Sequence, residues 1–326
     1  MTDTEISQAP DPADELADVF SIHHLVWLSR NGLVNDYPYA LGPFPATLDF
    51  ADTGRFDSRL KEDLQRWGVL TSDGQLNPDA EFLFNAILGS SEWMLWGTIL
   101  LHSLKTNARA EFDPKKADDF GLKHAVRDVP RVTFTIAVTE QEIVTAMNAP
   151  PALIFGRAPR TGKVCEQVGE ILKDMLDPEH NWSPWEGSQL TISAGNADAM
   201  AKNPETSKMV SEDAEQEDVE AQSEAIEAAL TELDVPLHVS KEFADLMSVP
   251  TTASVQAVLD YASDRGRITT SLGIGVAFLD GKGVVVSYPV GKTARTRSLY
   301  YVPGDTKGFV DAVEALVDLA RVEAGG

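Results

Sequence analysis

Apolar residues recur with helical or strand periodicity along much of the chain. The run from Ile22 to Ser29 is β-prone and ends at a turn signal, so it predicts a first strand. A spacing of three to four residues, followed by Gly68, then predicts a helix with apolar positions Phe56, Leu60, Leu64 and Trp67. Asn77 is a candidate N-cap with Pro78 at the first helical position, which predicts a second helix.

Short apolar runs follow and predict strands that are separated by one long polar connection. The strands are Trp93–Leu101, Val132–Val138, Ile143–Met147 and Leu153–Phe155, and a helix from Val164 to Leu176 follows them. The connection from Ser103 to Pro130 has 28 residues. Connections longer than about 12 to 15 residues without structure of their own are usually functional or disordered. We therefore expect binding residues in this connection.

The second half of the chain repeats this order of elements. It predicts a helix around Val255–Tyr261, a strand at Ile268–Leu279, a tight turn at Asp280–Gly283, strands at Val284–Tyr288 and Leu299–Val302, and a closing helix at Thr306–Ala320. The apolar positions of the two closing helices match at a constant offset (309 − 164 = 145), and Trp93 matches Ile268 at another (268 − 93 = 175). The expected fold class is α/β (α+β), a pseudo-twofold repeat of two similar halves.

The charge balance narrows the range of partners. The 326 residues carry 27 Lys and Arg against 51 Asp and Glu, a formal net charge of −24 at pH 7. This excess of acidic groups disfavours nucleic acid and anionic membrane surfaces. The apolar runs are shorter than the ~20 residues that span a bilayer, and the N-terminus has no secretory signal pattern. We expect a cytoplasmic protein without membrane insertion.

Two segments are acidic and poor in apolar residues. Residues 1–18 predict a disordered leader, and Asn203 to Asp234 holds eleven acidic residues against one basic residue. The first part of the second segment is expected to be mobile, whereas Ile226, Ala229, Leu230 and Leu233 have helical spacing. The expected domains are a disordered acidic leader at 1–18, an N-terminal α/β half at 19–196, an acidic mobile insert at 197–235 and a C-terminal α/β half at 236–326.

Motifs for catalysis or metal binding are weak. Gly156 to Lys163 lies between a predicted strand and a predicted helix, but five residues separate its glycines and Val164 follows the lysine, unlike a phosphate-binding loop. A nucleotide-dependent enzyme that uses this loop stays open as the alternative function. The six histidines lack the i, i+4 spacing of a helical metal site, and His23 and His24 would point to opposite sides of the predicted first strand. We expect no catalytic, cofactor-binding or metal-binding residues.

Three segments combine these elements in a distinctive order. They are Ser21–Leu33 (SIHHLVWLSRNGL), Leu60–Ser103 with its helices and tryptophan-rich strand, and the closing strand, Pro-Gly-Asp turn and helix at Ser298–Ala320. This order resembles the EspG family, the cytosolic chaperones of ESX (type VII) secretion. The resemblance implies that two similar halves form a central β-sheet flanked by two helical bundles. It also implies a non-catalytic chaperone that binds PE–PPE substrate pairs at the tip of the PPE helical bundle and directs them to the secretion machinery.

Partner-binding residues are expected in two regions, because interface hot spots combine an apolar centre with polar groups around it. The expected contact residues are Phe112, Lys115 and Lys116 in the long connection, and Phe243, Leu246 and Met247 at helical spacing in the second half. By the resemblance, the tip of the substrate should contact both regions.

Overall fold

The computed structural model describes residues 19–34, 39–42, 53–104, 129–202, 219–291 and 296–325. The chain divides into an N-terminal unit (Met1–Met94 and Val132–Pro159) and a C-terminal unit (Leu95–Arg131 and Arg160–Gly326). The two units therefore alternate along the sequence instead of following one another. The predictions for residues 1–18, for 105–128 of the long connection and for 203–218 lie outside the described residues.

Helices and strands are named in chain order. The described helices are α1 (Ile22–Arg30), α2 (Thr53–Arg66), α3 (Pro78–Asn85), α4 (Val164–Leu176), α5 (Ala194–Lys202), α6 (Val219–Glu232), α7 (Leu237–Met247) and α8 (Thr306–Gly325). The described strands are β1 (Trp93–Leu100), β2 (Arg131–Val138), β3 (Glu142–Ala149), β4 (Ala152–Pro159), β5 (Leu190–Ser193), β6 (Thr251–Ser263), β7 (Gly266–Thr269), β8 (Ile274–Leu279), β9 (Gly283–Val290) and β10 (Ser298–Pro303).

The first described element of the N-terminal unit is a helix, so the predicted strand from Ile22 to Ser29 is wrong. The N–H of Ser21 donates to Nδ1 of His24, the third helical residue, at 3.0 Å, which caps the helix start. Gly32 follows the helix with φ of 68°, a left-handed conformation that suits glycine. The buried residues lie on several sides of α1: His24, Leu25, Val26, Trp27 and Leu28. A short run that is apolar all round does not distinguish a buried helix from a strand.

The rest of the N-terminal unit agrees with the sequence pattern. Helix α2 ends at Arg66, and Gly68 follows with φ of 71°. Asn77 caps α3 by accepting a hydrogen bond from the N–H of Asp79 at 3.0 Å. The strands β2, β3 and β4 form an antiparallel meander.

The C-terminal unit contains a large sheet with the strand order β1-β6-β8-β9-β10-β5, in which β7 pairs with β6. The pairings from β6 to β5 along this order are antiparallel. The predicted helix around Val255–Tyr261 is wrong, because it lies in β6, where Val255, Ala257 and Leu259 are buried in alternation. The predicted strand Ile268–Leu279 is two strands, since the chain turns between β7 and β8.

The order of elements repeats, and the mixed α/β fold class is confirmed. In each half, helices are followed by a long strand (β1 or β6), a three-stranded antiparallel meander (β2–β4 or β8–β10) and a closing helix (α4 or α8). The match of Trp93 with Ile268 is wrong, since β6 takes the place of β1 in the second half.

The offset of 145 residues also describes how the two closing helices pack within the C-terminal unit. Gly169 of α4 lies against α8 so closely that a Cβ there would be 2.8 Å from Cα of Val310. In the repeat, Gly169 corresponds to Glu314 (169 + 145) and Val310 corresponds to Cys165 (310 − 145). Burial raises the pKa of the Cys165 thiol, and the charge of Glu314 raises it further. The charge of Glu314 therefore acts on Cys165, the counterpart of Val310 in the repeat.

The end of the expected acidic insert is folded. Helix α6 has the predicted apolar spacing and buries Ile226 and Leu230, which are 1% and 0% exposed. The chain then turns at Asp234 and continues into α7. Residues 219–235 therefore belong to the packed part of the C-terminal unit.

Candidate partner-binding surface

The α6–α7 hairpin packs on the C-terminal unit through a continuous apolar cluster. Its members include Ile226, Leu230, Phe243 and Leu246 of the hairpin, and Trp185, Leu190, Ile192, Leu279 and Val285 from the sheet and the segment before β5. The ring of Phe243 meets the ring of Tyr301 edge-on, with centroids 5.0 Å apart. Burial raises the pKa of Tyr301 to about 12, so this phenol stays neutral.

This packing places two of the predicted contact residues in the core. Phe243 is 3% exposed and Leu246 is 2% exposed, so neither presents its side chain to a partner in this structure. Their helical spacing forms the stripe by which α7 rests on the sheet. Met247 differs, because it is 38% exposed at the end of the helix.

The outer face of α7 carries an apolar residue that the sequence pattern did not single out. Leu237, at the first helical position, is 55% exposed. Lys241 and Asp245 follow on the same exposed face, and Asp245 pairs with Nζ of Lys282 at 2.6 Å. Leu237 has the helical spacing of the buried Ser240 and Ala244, so its exposure follows from its place at the start of the helix and the sequence spacing gives no signal for it. The face therefore combines a protruding apolar side chain with charged neighbours.

A cavity of about 540 Å³ adjoins Lys282 within the C-terminal unit. Trp182 and Trp185 line it together with the β8–β9 turn. Gly283 permits this close approach, since a Cβ there would lie 2.3 Å from the carbonyl oxygen of Ser183. The N–H of Trp182 donates to Asp177 at 3.1 Å, which fixes the tryptophan segment.

The ends of the long connection are held in the C-terminal unit, whereas Phe112, Lys115 and Lys116 lie outside the described residues. The N–H of Leu101 donates to the carbonyl of Pro130 at 3.0 Å, which joins the two ends. His102 Nε2 and Ser254 Oγ are 2.8 Å apart and tie the first end to β6. Leu104, the last described residue before the connection, is 57% exposed.

The segment from Gly156 to Lys163 does not have the geometry of a phosphate-binding loop. Gly156 lies inside β4, paired with Thr145, so its backbone does not form a loop around a phosphate. Lys163 pairs with Glu166 at 2.8 Å. Ser254 has a histidine beside it, but its backbone lies in the β6 ladder opposite Ala277 and not at a helix start or an open loop. The described residues contain neither a group of three potential metal ligands nor a helix able to cross a membrane.

Comparison with known proteins gives a structural match. Neither a protein-family profile nor a curated sequence matches the chain. Among solved structures, the chain is similar to the Mycobacterium tuberculosis type VII secretion system chaperone EspG5, solved in complex with the PE25–PPE41 dimer. The match has a TM-score of 0.62 and 11% sequence identity, and it covers 93% of this chain and 96% of the other. The chain therefore has an EspG-like fold, as the sequence resemblance predicted.

Proposed function

We propose that this protein is a non-catalytic chaperone that binds PE–PPE type substrate pairs in the cytosol, keeps them soluble and directs them to the ESX (type VII) secretion machinery. The observation that carries the proposal is the EspG-like fold over 93% of the chain, shared with a chaperone solved with a PE–PPE dimer. A binding role also fits a surface that offers exposed apolar side chains such as Leu237 and Met247.

The proposed contact surface has two parts. One is the exposed part of α7, with Leu237 at its start and Met247 at its end, in place of the buried Phe243 and Leu246 as apolar contacts. The other is the long connection with Phe112, Lys115 and Lys116. An exposed apolar residue with charged neighbours suits the tip of a helical bundle, because the apolar contact supplies affinity and the charges set the register.

Nucleotide-dependent catalysis is the alternative, and a ligand-stability test separates the two functions. ATP at 100 times its Kd would stabilise a specific binder by about 2.7 kcal/mol. The position of Gly156 within β4 leads us to expect no shift of the melting temperature with ATP. A concentration-dependent rise would favour the enzyme and count against the proposal.

Capture from the native cytosol tests the chaperone function. The tagged chain should recover one PE and one PPE protein, and the three purified proteins should form a single complex. Leu237→Asp or Met247→Asp should then weaken binding at least about tenfold. The matched control is Val322→Asp, which adds the same charge at an apolar residue 42% exposed on α8 and should leave the affinity unchanged. Absence of PE and PPE proteins from the captured material would contradict the proposal.

A further inference from the structure

His24 is a fully buried titratable side chain in the N-terminal unit that the proposed function does not use. It is 0% exposed and lies on α1, the first described helix of the unit. Its ring stacks on Phe20 with centroids 5.2 Å apart and lies 5.0 Å from the ring of Trp67. Phe20 also contacts Phe84 and Phe155, so the imidazole lies at the edge of an aromatic cluster.

One ring nitrogen of His24 closes the cap of α1. Because the N–H of Ser21 donates to Nδ1 at 3.0 Å, Nδ1 must be without a proton, and this bond assigns the proton of the neutral ring to Nε2. Protonation of Nδ1 would turn this acceptor into a donor that faces another donor. Ser21 Oγ also lies 3.0 Å from Nδ1 and can accept that proton, but the backbone N–H of Ser21 would lose its acceptor. The backbone hydrogen bond of the cap therefore requires neutral His24.

The surroundings of the second ring nitrogen, Nε2, do little to stabilise a positive charge on the imidazole. Within the described part of the chain Nε2 has no hydrogen-bond partner, and Oδ2 of Asp63 is 3.8 Å away. The other oxygen of Asp63 accepts a hydrogen bond from Arg66 at 2.7 Å, so this carboxylate is already shared. A charged imidazole would be buried among aromatic rings with one distant counter-ion.

The charges around His24 come from few groups. Burial lowers the pKa of His24 to about 4. The charge and polar contact of Asp63 on α2 and the contact with the Ser21 backbone oppose this shift, and the neighbouring His23 adds to it. On α3 and β4, Asp79 and Arg157 pair with each other at 3.8 Å. The effect of burial on the pKa of His24 therefore exceeds the effects of the nearby charges, and His24 is neutral in the packed unit at neutral pH.

We propose that His24 is an acid-sensitive latch, which holds α1 on the N-terminal unit while neutral and releases the start of the helix when Nδ1 takes up a proton from solvent. The release would extend to Phe20, whose carbonyl accepts a hydrogen bond from the N–H of Leu153 on β4 at 2.7 Å. This contact joins the start of α1 to the edge of the meander.

The pH dependence of the opening of α1 follows from the difference between the pKa of His24 in the open form and its pKa in the packed form. In an opened α1 the imidazole returns to its ordinary pKa of 6.5, whereas in the packed unit the pKa is about 4. Acid therefore favours the open form, and the packed form loses stability as the pH falls from 6.5 towards 4. Between about pH 7 and pH 5 the opening constant should rise roughly 20-fold.

Hydrogen exchange of α1 at pH 7 and 5, corrected for intrinsic rates, tests the latch. His24→Gln is the key variant, because glutamine at the third helical position keeps the acceptor of a capping box and does not titrate. The wild-type opening constant should rise about 20-fold and that of His24→Gln several-fold less, with the remaining rise coming from His23 on the same helix, whose pKa burial also lowers. The control His238→Gln changes an exposed histidine and should behave as the wild type. Equal rises in His24→Gln and the wild type, or no rise in the wild type, would overturn the latch.

A second measurement covers the case in which His24→Gln does not fold. The imidazole of His24 can be titrated by nuclear magnetic resonance in the unaltered protein. A pKa below about 5.5 would support the latch, and a pKa of about 5.5 or above would overturn it, because the linkage would then be too small. Neither result depends on the partner, so both are independent of the proposed function.

Discussion

The contact between α4 and α8 predicts a specific response to one added methyl group. In Gly169→Ala the new Cβ would lie 2.8 Å from Cα, 2.9 Å from N and 2.9 Å from Cγ2 of Val310. Unstrained carbon contacts lie at about 3.5–4.0 Å. Two of the three atoms belong to the backbone, so rotation of the valine side chain cannot relieve the overlap. The helices must therefore separate by roughly 1 Å.

Two opposing contributions set the magnitude of this effect. Overpacking of a core contact costs about 1–3 kcal/mol. Alanine inside a helix is about 1 kcal/mol more favourable than glycine, which offsets part of this cost. We expect Gly169→Ala to lose about 1 kcal/mol of unfolding free energy, which lowers the Tm by roughly 2–4 °C.

Thermal unfolding followed by circular dichroism measures this change, and Gly195→Ala is the matched control. Gly195 is also helical, in α5, but its added Cβ would have as its nearest neighbour Ser193 Oγ at 3.9 Å. This control should keep or raise the Tm. If Gly169→Ala is as stable as Gly195→Ala, the close crossing of the two closing helices is refuted.

Two further predictions concern buried groups of the C-terminal unit. Phe243→Ala should lower the free energy of unfolding, measured with denaturant, by about 3–5 kcal/mol, and Met247→Ala by less than about 1 kcal/mol. The reason is that Phe243 is buried in the core beneath α7 and Met247 is exposed. Similar losses in the two variants would contradict the burial of Phe243. Cys165 should react with iodoacetamide more slowly than a free thiol at pH 8, because its raised pKa reduces the fraction of thiolate. Glu314→Gln should accelerate the reaction, because it removes a charge that raises this pKa. An unchanged rate in Glu314→Gln would contradict this effect of Glu314 on Cys165.

The sequence predicts helices, strands and turns best where the local pattern is compatible with only one of them. The helix from Val164 to Leu176 has the same bounds in the structure, and the turn at Asp280–Gly283 joins β8 to β9 as predicted. Both depend on short-range signals, an amphipathic stripe and an aspartate-glycine turn.

The predictions fail where tertiary contacts decide between helix and strand. The apolar run of α1 lacks alternation, and its helical state depends on the bond between Ser21 and His24 and on burial along several sides. In β6, Val255 and Leu259 have the four-residue spacing of a helix, but β6 has strand neighbours in the sheet order on both sides. Pairing with these neighbours outweighs the local preference.

The contact residues on α7 illustrate why a surface is harder to predict than a fold. Phe243 and Leu246 have regular helical spacing, and this regularity is what seats a helix on a core. Leu237 has the same spacing relative to the buried Ala244, yet it is exposed because it lies at the start of the helix. Helical spacing alone therefore does not distinguish a buried apolar residue from an exposed one.

Co-expression with a PE–PPE pair from the same organism tests the chaperone account most directly. The measurement is the soluble fraction of the PE–PPE pair with and without this chain, followed by light scattering of the soluble material. The account predicts that the chain raises the soluble fraction several-fold and that one copy each of the chain, the PE protein and the PPE protein elute together. A PE–PPE pair that is equally soluble without the chain and elutes apart from it would contradict the account.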